Sequence, residues 1–423
     1  MIFSHSLKSK IVKEISWSFA TKGITFALFI LLNVAIARML GVEKFGTWSF
    51  FFSIISVIFL ISNFGINNST RAYIVQYRAT DMLRSIIRDS FKLRLLFSFI
   101  FASLIFIFAE HLSVLINHPE FEILFKYSAP FVFLMGLTEY LKSVFMGLHR
   151  IKYNFIINTL EHGLKIIFFA ITLLCFSITL PNIVNIFNLA LFLTVLIGLS
   201  LLYFVFFVKL KKSTSKIFTS DIFKYSIPLF FTGIGAIVAT EIDIIMLSFL
   251  SSNYEVGIYT VAKGIITKLP HISMAIAMGA MPIFIKVNKE NKDRLKALFL
   301  KLLRINAKIL MIIVPGVLLF SSFLIPLLYG IEYSGSVFPL QILTIFLINR
   351  SFLVFLTLFL DYQGLAKKRL FNSLIAMTLN IFLNFLLIPK YGATGAAIAT
   401  SVAYIPYVLL NWLEIQKVFK TKY

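Results

Sequence analysis

Stretches of about twenty apolar residues, each long enough to cross a hydrocarbon layer of roughly 30 Å as a helix, recur along this chain from one end to the other. Nothing else constrains the fold as strongly. In lipid every backbone N–H and C=O has to be satisfied within its own segment, so an immersed run of this length folds as helix. The composition agrees: 59% of the 423 residues are hydrophobic and 14% are charged, against roughly 25% charged in a soluble domain. The chain reads as an all-α membrane protein with no soluble domain left over.

Marking the apolar runs by the charge, Gly, Pro and Asn that bound them predicts about twelve transmembrane helices. They fall at 14 to 40, 45 to 65, 91 to 109, 123 to 147, 154 to 178, 183 to 208, 225 to 249, 256 to 285, 303 to 327, 338 to 360, 370 to 388 and 393 to 415. The connections alternate in charge. One set is basic: Lys8, Lys10 and Lys13; Arg71, Arg78, Arg84 and Arg88; Arg150 and Lys152; Lys209, Lys211, Lys212 and Lys216; Lys286 through Lys296; Lys367, Lys368 and Arg369; Lys417, Lys420 and Lys422. The other set is short and neutral or acidic: Glu43 with Lys44, the Glu110 to Glu122 loop, Pro181 and Asn182, Glu255, Glu332, and Lys390. By the positive-inside rule the basic set faces the cytoplasm, which places both termini there. The excess of 40 Lys and Arg over 18 Asp and Glu, a net charge of +22, is then explained by topology and anionic lipid rather than by nucleic acid. The first twenty residues lack a short apolar core with a small-residue cleavage site and read as a cytoplasmic tail. Cys175, the single cysteine, reads as a small buried hydrophobe.

The chain resembles itself. "LNVAIARMLGVEKFGTWSF" aligns with "IIMLSFLSSNYEVGIYTVA", pairing Phe45, Gly46 and Trp48 with Val256, Gly257 and Tyr259. "FMGLHRIKYNFIINTL" aligns with "YQGLAKKRLFNSLIAM", pairing Gly147 with Gly364 and Leu148 with Leu365. The offsets agree within a few residues, so 1–212 and 213–423 read as two six-helix lobes in parallel repeat, with a central cleft expected between them.

Ionisable side chains inside such helices are costly and functional by default. Glu139 with Lys142, and Glu161 with Lys165, are spaced to neutralise each other along one helix face. Arg304 and Lys308 sit near enough to a helix end to snorkel. Lys22, Lys263 and Lys268 have no acid three or four positions away, and Glu241 and Asp243 have no base. Two residues apart on a helix, Glu241 and Asp243 point to different sides, and Asp243 is the one expected to line a cavity. Either acid has three open uses: a bridge to Lys22 or Lys263, a cation site, or a proton site. Metalloprotease, P-loop, dinucleotide and CxxC signatures are missing from the sequence, so an enzyme is not expected. No metal site and no cofactor are predicted. The small residues of "YGATGAAIATSVAY", with Gly395 and Ala399 four apart, suit close helix packing.

Twelve spans, "IARMLGVEKFGTWSF" after the first helix, "DIIMLSFLSSNYEVGIYTVAKGI" across helices seven and eight, and "LIPKYGATGAAIATSVAY" into helix twelve together resemble the polysaccharide-biosynthesis (Wzx-type) flippases of the MATE-like superfamily. The resemblance implies a MATE-like fold in the bacterial inner membrane. It also implies transport of undecaprenyl-diphosphate-linked oligosaccharide repeat units, for O-antigen, capsule or exopolysaccharide, by alternating access. On that resemblance Lys22, Lys263 and Lys268 are the candidate diphosphate ligands, Asn33 faces the sugars, and Asp243, with Glu241, couples transport to H+ or Na+. The implied partners are the lipid-linked oligosaccharide, membrane lipid and the polysaccharide polymerase machinery, with no nucleic acid. The rival readings are a cation-coupled multidrug antiporter of the same superfamily, a lipid II flippase, and a membrane-embedded polysaccharide polymerase.

Overall fold

A computed structural model describes residues 5–175, 178–210, 219–277 and 292–420, nearly all of them helical. Lys211, Lys212, Lys216, Lys286 and Lys422 of the basic connections lie outside the described residues. The elements are α1 His5–Asn63, α2 Ile66–Tyr77, α3 Leu83–Ile107, α4 Ala109–Leu115, α5 Phe121–Gly147, α6 Ile151–Cys175 and α7 Leu180–Leu201. They continue with α8 Thr219–Leu250, α9 Asn253–Ile266, α10 at 270–277, α11 Lys292–Tyr329, α12 Val337–Tyr362 and α13 Ala366–Lys420.

Among the described residues, eight helical stretches are long and apolar enough to cross a membrane. Two of them, Ala20–Asn63 and Ala366–Lys420, run to 44 and 55 residues, well beyond the roughly 20 that one crossing needs. Each contains one non-helical glycine, Gly41 at φ 72° in α1 and Gly392 at φ 52° in α13. The sequence predicts separate helices on either side of these points. The structure agrees: at each point a positive-φ glycine interrupts the helix, so α1 and α13 are each two helices joined at a tight kink rather than through a multi-residue loop. The bend in α13 is held from outside: the amide of Ala393 donates to Glu255 Oε2 at 2.7 Å.

Elsewhere the predicted boundaries shift for local reasons. The helix expected at 256 to 285 breaks into α9 and α10 at the turn 267–269, just before Pro270, which lacks an N–H and restricts the residue ahead of it. The basic connection after residue 65 contains α2, whose Ile66, Ser69, Thr70 and Ile74 are buried. The Glu110 to Glu122 loop contains the short α4. Cys175 is exposed at the end of α6, contrary to its expected burial, because the last turn of α6 leaves Leu174 uncovered too, at 86%.

Packing groups the chain into two compact units. The first is Met1–Met39 with Ile54–Ile237, and the second Leu40–Ser53 with Val238–Tyr423. In the first, Leu83, Ile86, Tyr140, Leu141, Val144, Phe145 and Ile157 form one buried cluster, and a side chain at Gly198 would collide with Leu141 and Ile157. In the second, Phe299, Leu353, Phe355, Leu356 and Phe359 form the core.

The second unit also contains a reciprocal contact between repeat-related positions. A Cβ at Gly46 would lie 1.7 Å from the carbonyl oxygen of Asn253, and one at Gly257 would lie 2.2 Å from that of Val42. Each glycine therefore meets the residue four before the other, a reciprocal contact between α1 and α9. Gly395, expected to admit a neighbouring helix, does so: a Cβ there would lie 2.4 Å from the carbonyl oxygen of Leu387, on the helix that precedes the kink at Gly392.

Candidate functional site

Asp243 is the centre of the most elaborate polar arrangement in the second unit. Helix α8 carries it to a position 1% exposed, where an ionised carboxylate needs several donors to offset its lost hydration. They come from three directions. From α9, the hydroxyl of Tyr259 donates to Oδ2 at 2.8 Å and Lys263 Nζ donates to the same oxygen at 3.3 Å. From the part of α13 beyond Gly392, the hydroxyl of Thr400 donates to Oδ2 at 3.0 Å. From the part before it, Asn384 Nδ2 donates to Oδ1 at 2.9 Å. The bend in α13 is what brings Asn384 and Thr400 to one carboxylate.

A second layer supports these donors. Asn384 Nδ2 also donates to Asn380 Oδ1 at 3.2 Å, and Asn380 Nδ2 donates to Thr400 Oγ1 at 3.4 Å. Asn384 Oδ1 is buried with no donor among the described residues. Lys263 Nζ also donates to the carbonyl of Thr240 and lies 5.4 Å over the Tyr259 ring. Its side chain is 14% exposed, so it stands at the edge of the network rather than inside it.

The other sequence-predicted residues take different places. Glu241 is half-buried on another side of α8, and its charge acts on Lys268, also half-buried, in the turn after α9. Of these two acids, Asp243 is thus paired with Lys263, while Glu241 influences Lys268. Lys22 and Asn33 belong to the first unit. Lys22 is exposed on α1, while Asn33 is half-buried and its Nδ2 donates to the carbonyl of Phe29 at 2.9 Å. Arg304, Lys308 and Arg350 are exposed.

The first unit has a charge cluster of its own. Lys142 pairs with Glu139 at 2.7 Å and Lys165 with Glu161 at 2.8 Å, the two intrahelical pairs that the spacing predicts. Lys142 also reaches Glu161 across helices at 2.6 Å, so the pairs join into one network of two acids and two bases between α5 and α6. Sequence reasoning missed this junction.

It also missed Arg94, 0% exposed on α3. Its Nε donates to the carbonyl of Gly136 at 3.1 Å and one terminal nitrogen to the carbonyl of Ser62 at 2.7 Å. Asn380, Asn384, Thr400 and Tyr259 were not singled out either. The four-residue spacing of Asn380 and Asn384 in an otherwise apolar run was the available signal.

Comparison with known proteins places these residues in context. The family model described as "Polysaccharide biosynthesis protein" matches residues 11–288, a segment that includes Lys22, Asn33, Glu241, Asp243, Lys263 and Lys268. Two curated relatives are uncharacterized membrane proteins of Methanocaldococcus jannaschii. MJ1068 is 24% identical over 96% of this chain and 84% of its own length, and MJ1375 is 23% identical over 95% of each. Among solved structures, a multidrug resistance MATE family transporter of the MOP superfamily in its inward-facing conformation aligns with a TM-score of 0.78 at 16% identity. It covers 96% of this chain and 99% of its own. The lipid II flippase MurJ in an inward closed conformation aligns with a TM-score of 0.75 at 19% identity, covering 95% of this chain and 87% of its own. The fold is therefore that of the MATE transporters and MurJ.

Proposed function

Because the chain belongs to the polysaccharide biosynthesis protein family, we propose that it is a flippase for a lipid-linked oligosaccharide. It carries the glycan, attached to undecaprenyl or a similar prenyl diphosphate, from the cytoplasmic to the outer leaflet of the inner membrane. The observation that carries this reading is the family match itself, which spans the candidate lysines of both units. A diphosphate with sugars does not cross hydrocarbon unaided, since unpaired charge there is prohibitive. The prenyl tail can stay in lipid while the head group travels through the protein. Lys22 of the first unit, and Lys263 and Lys268 of the second, are the candidate diphosphate ligands, with Asn33 toward the sugars. Asp243, with Glu241, is the candidate for coupling to H+ or Na+.

Counting two passes each for α1 and α13, broken at Gly41 and Gly392, and one each for α8 and for α9 with α10, gives twelve passes with both termini in the cytoplasm. The glycan is of the O-antigen, capsule or exopolysaccharide kind, and a polysaccharide polymerase acts on it after transfer. Transporters and flippases make no covalent change in their cargo, so no cofactor enters. A second reading, a cation-coupled multidrug antiporter, draws on the likeness to the MATE transporter and on the buried carboxylate Asp243.

Proteoliposomes holding a fluorescent lipid-linked oligosaccharide separate the two readings. The flippase moves the label between leaflets, and Lys22→Ala or Lys263→Ala lowers that rate at least tenfold with the protein still inserted. Unchanged flipping in both variants removes these lysines from the site. Cation-driven efflux of a drug with no lipid movement supports the antiporter.

A further inference from the structure

Lys263 has two competing uses. As a diphosphate ligand its ammonium has to meet an incoming phosphate, yet in the structure it is bonded to Asp243 and to the carbonyl of Thr240. We propose that Lys263 is an exchangeable counter-cation: the substrate's phosphate draws it off Asp243, and Asp243 takes up a proton in its place. This deepens the flippase reading and rests on it.

The geometry fits such an exchange. Lys263 is in the last turn of α9, immediately before the break at 267–269 and Pro270. Its side chain is 14% exposed while that of Asp243 is 1% exposed, so the ammonium can leave along its flexible four-carbon stem and the carboxylate cannot follow. Two of its three N–H groups go to Asp243 and Thr240, and among the described residues the third has no acceptor and can meet an approaching one.

Once Lys263 departs, the neutral donors Tyr259, Thr400 and Asn384 are what the buried carboxylate keeps among the described residues. An ionised carboxylate so placed is costly, and a buried acid without a cation normally resolves the cost by protonation. The new O–H then needs an acceptor. Asn384 supplies one, because its Oδ1 is buried with no donor and its Nδ2 already stands 2.9 Å from Asp243 Oδ1. Rotating that amide, together with the Asn380 amide whose Oδ1 accepts from the same Nδ2, exchanges donor and acceptor ends, so the same residue donates to the carboxylate and accepts from the carboxylic acid.

The charged and titratable groups around Asp243 leave few other partners. On its own helix, Glu241 acts on Lys268. Tyr259 and Lys263 face it from α9. From α13, Tyr404 feels its charge, and from α12 Arg350 acts on Tyr404. In the exchange the Lys263–Asp243 ion pair breaks, a Lys263–phosphate pair forms, and one proton passes from water to an Asp243 oxygen. Release of the substrate reverses all three, so the proton travels with the glycan: the exchange keeps the buried carboxylate neutral during transfer and does not itself draw on an inward proton gradient. By linkage, a lower pH then tightens substrate binding.

The test uses the full chain in lipid nanodiscs with geranyl diphosphoglucose, a diester whose phosphates do not titrate near neutrality. Calorimetry in buffers of different ionisation enthalpy counts the protons taken up. About one proton per bound probe is expected, with affinity rising as pH falls, by at most about tenfold per pH unit. Asp243→Asn should bind the probe with no proton uptake and no such pH dependence, and Lys263→Gln should lose most of the affinity. The parent's proton count decides the matter even if a variant does not fold. Binding by the parent without proton uptake, or binding that requires sodium, overturns the exchange and leaves the flippase reading standing. An Asp243→Asn variant that still takes up the proton overturns it as well. Failure of the parent to bind the probe counts against the diphosphate substrate itself, and the exchange falls with it.

Discussion

At the scale of single residues, the cost of buried charge explains the placements. Glu161 is 2% exposed and accepts both Lys142 and Lys165, so the pair that looks self-contained along α6 is half of a larger network. This changes the expected effect of a simple exchange. Swapping the two members of an isolated pair four apart on a helix is close to neutral, to within a few tenths of a kcal/mol. Here Glu161→Lys combined with Lys165→Glu would set an ammonium at position 161 against Lys142, which now stands 2.6 Å from the carboxylate there. The double exchange should unfold in detergent at a clearly lower temperature than Glu161→Gln combined with Lys165→Gln, which removes the charges without creating repulsion. Equal melting of the two would mean that the Lys142 contact adds nothing. Sequence spacing revealed the two intrahelical pairs because helical geometry is local. It hid their junction, and the carbonyl cage around Arg94, because those partners lie 19 to 42 residues away. An arginine near the end of an apolar run carries no mark that distinguishes snorkelling from full burial.

At the scale of helices, glycine decides where elements bend and where they touch. The sequence alignment paired Gly46 with Gly257, and the structure sets each against the backbone of the other's helix. What the alignment could not supply was the meeting itself, since a repeat specifies equivalence and leaves contact open. Nor could composition distinguish the loop expected near Gly41 from a bend, because the residues after it are compatible with either. Gly257→Ala would place a Cβ 2.2 Å from the Val42 carbonyl oxygen, a backbone atom that cannot rotate away, and overpacking of this kind costs about 1–3 kcal/mol or more. Gly264, on the same helix, has nothing within 4 Å of an added Cβ. Thermal unfolding should therefore show Gly257→Ala destabilised, and Gly264→Ala unchanged or slightly stabilised, since Ala favours helix over Gly by about 1 kcal/mol. If the two variants melt together, the glycine contact is not a structural constraint.

At the scale of the whole molecule, orientation in the membrane gives the proposed chemistry its direction. The alternation of charge in the sequence predicts that the basic connections face the cytoplasm, the side from which a glycan assembled there would be loaded. Cys175 is the only cysteine in the chain and is exposed, so labelling studies start from Cys175→Ser. On this background Asn117→Cys and Glu332→Cys report the neutral and acidic connections, and Lys152→Cys and Lys367→Cys report the basic ones. A membrane-impermeant maleimide should reach positions 117 and 332 in intact cells, and 152 and 367 only after the membrane is opened. Positions 117 and 152 flank α5, and 332 and 367 flank α12, so a miscounted pass between the two pairs would give a mixed pattern rather than a clean reversal. Labelling of 152 and 367 from outside, with 117 and 332 protected, would invert the whole chain. The lysines assigned to the diphosphate would then be reached from the wrong leaflet, and export of a cytoplasmic glycan would be the wrong reading of the same fold.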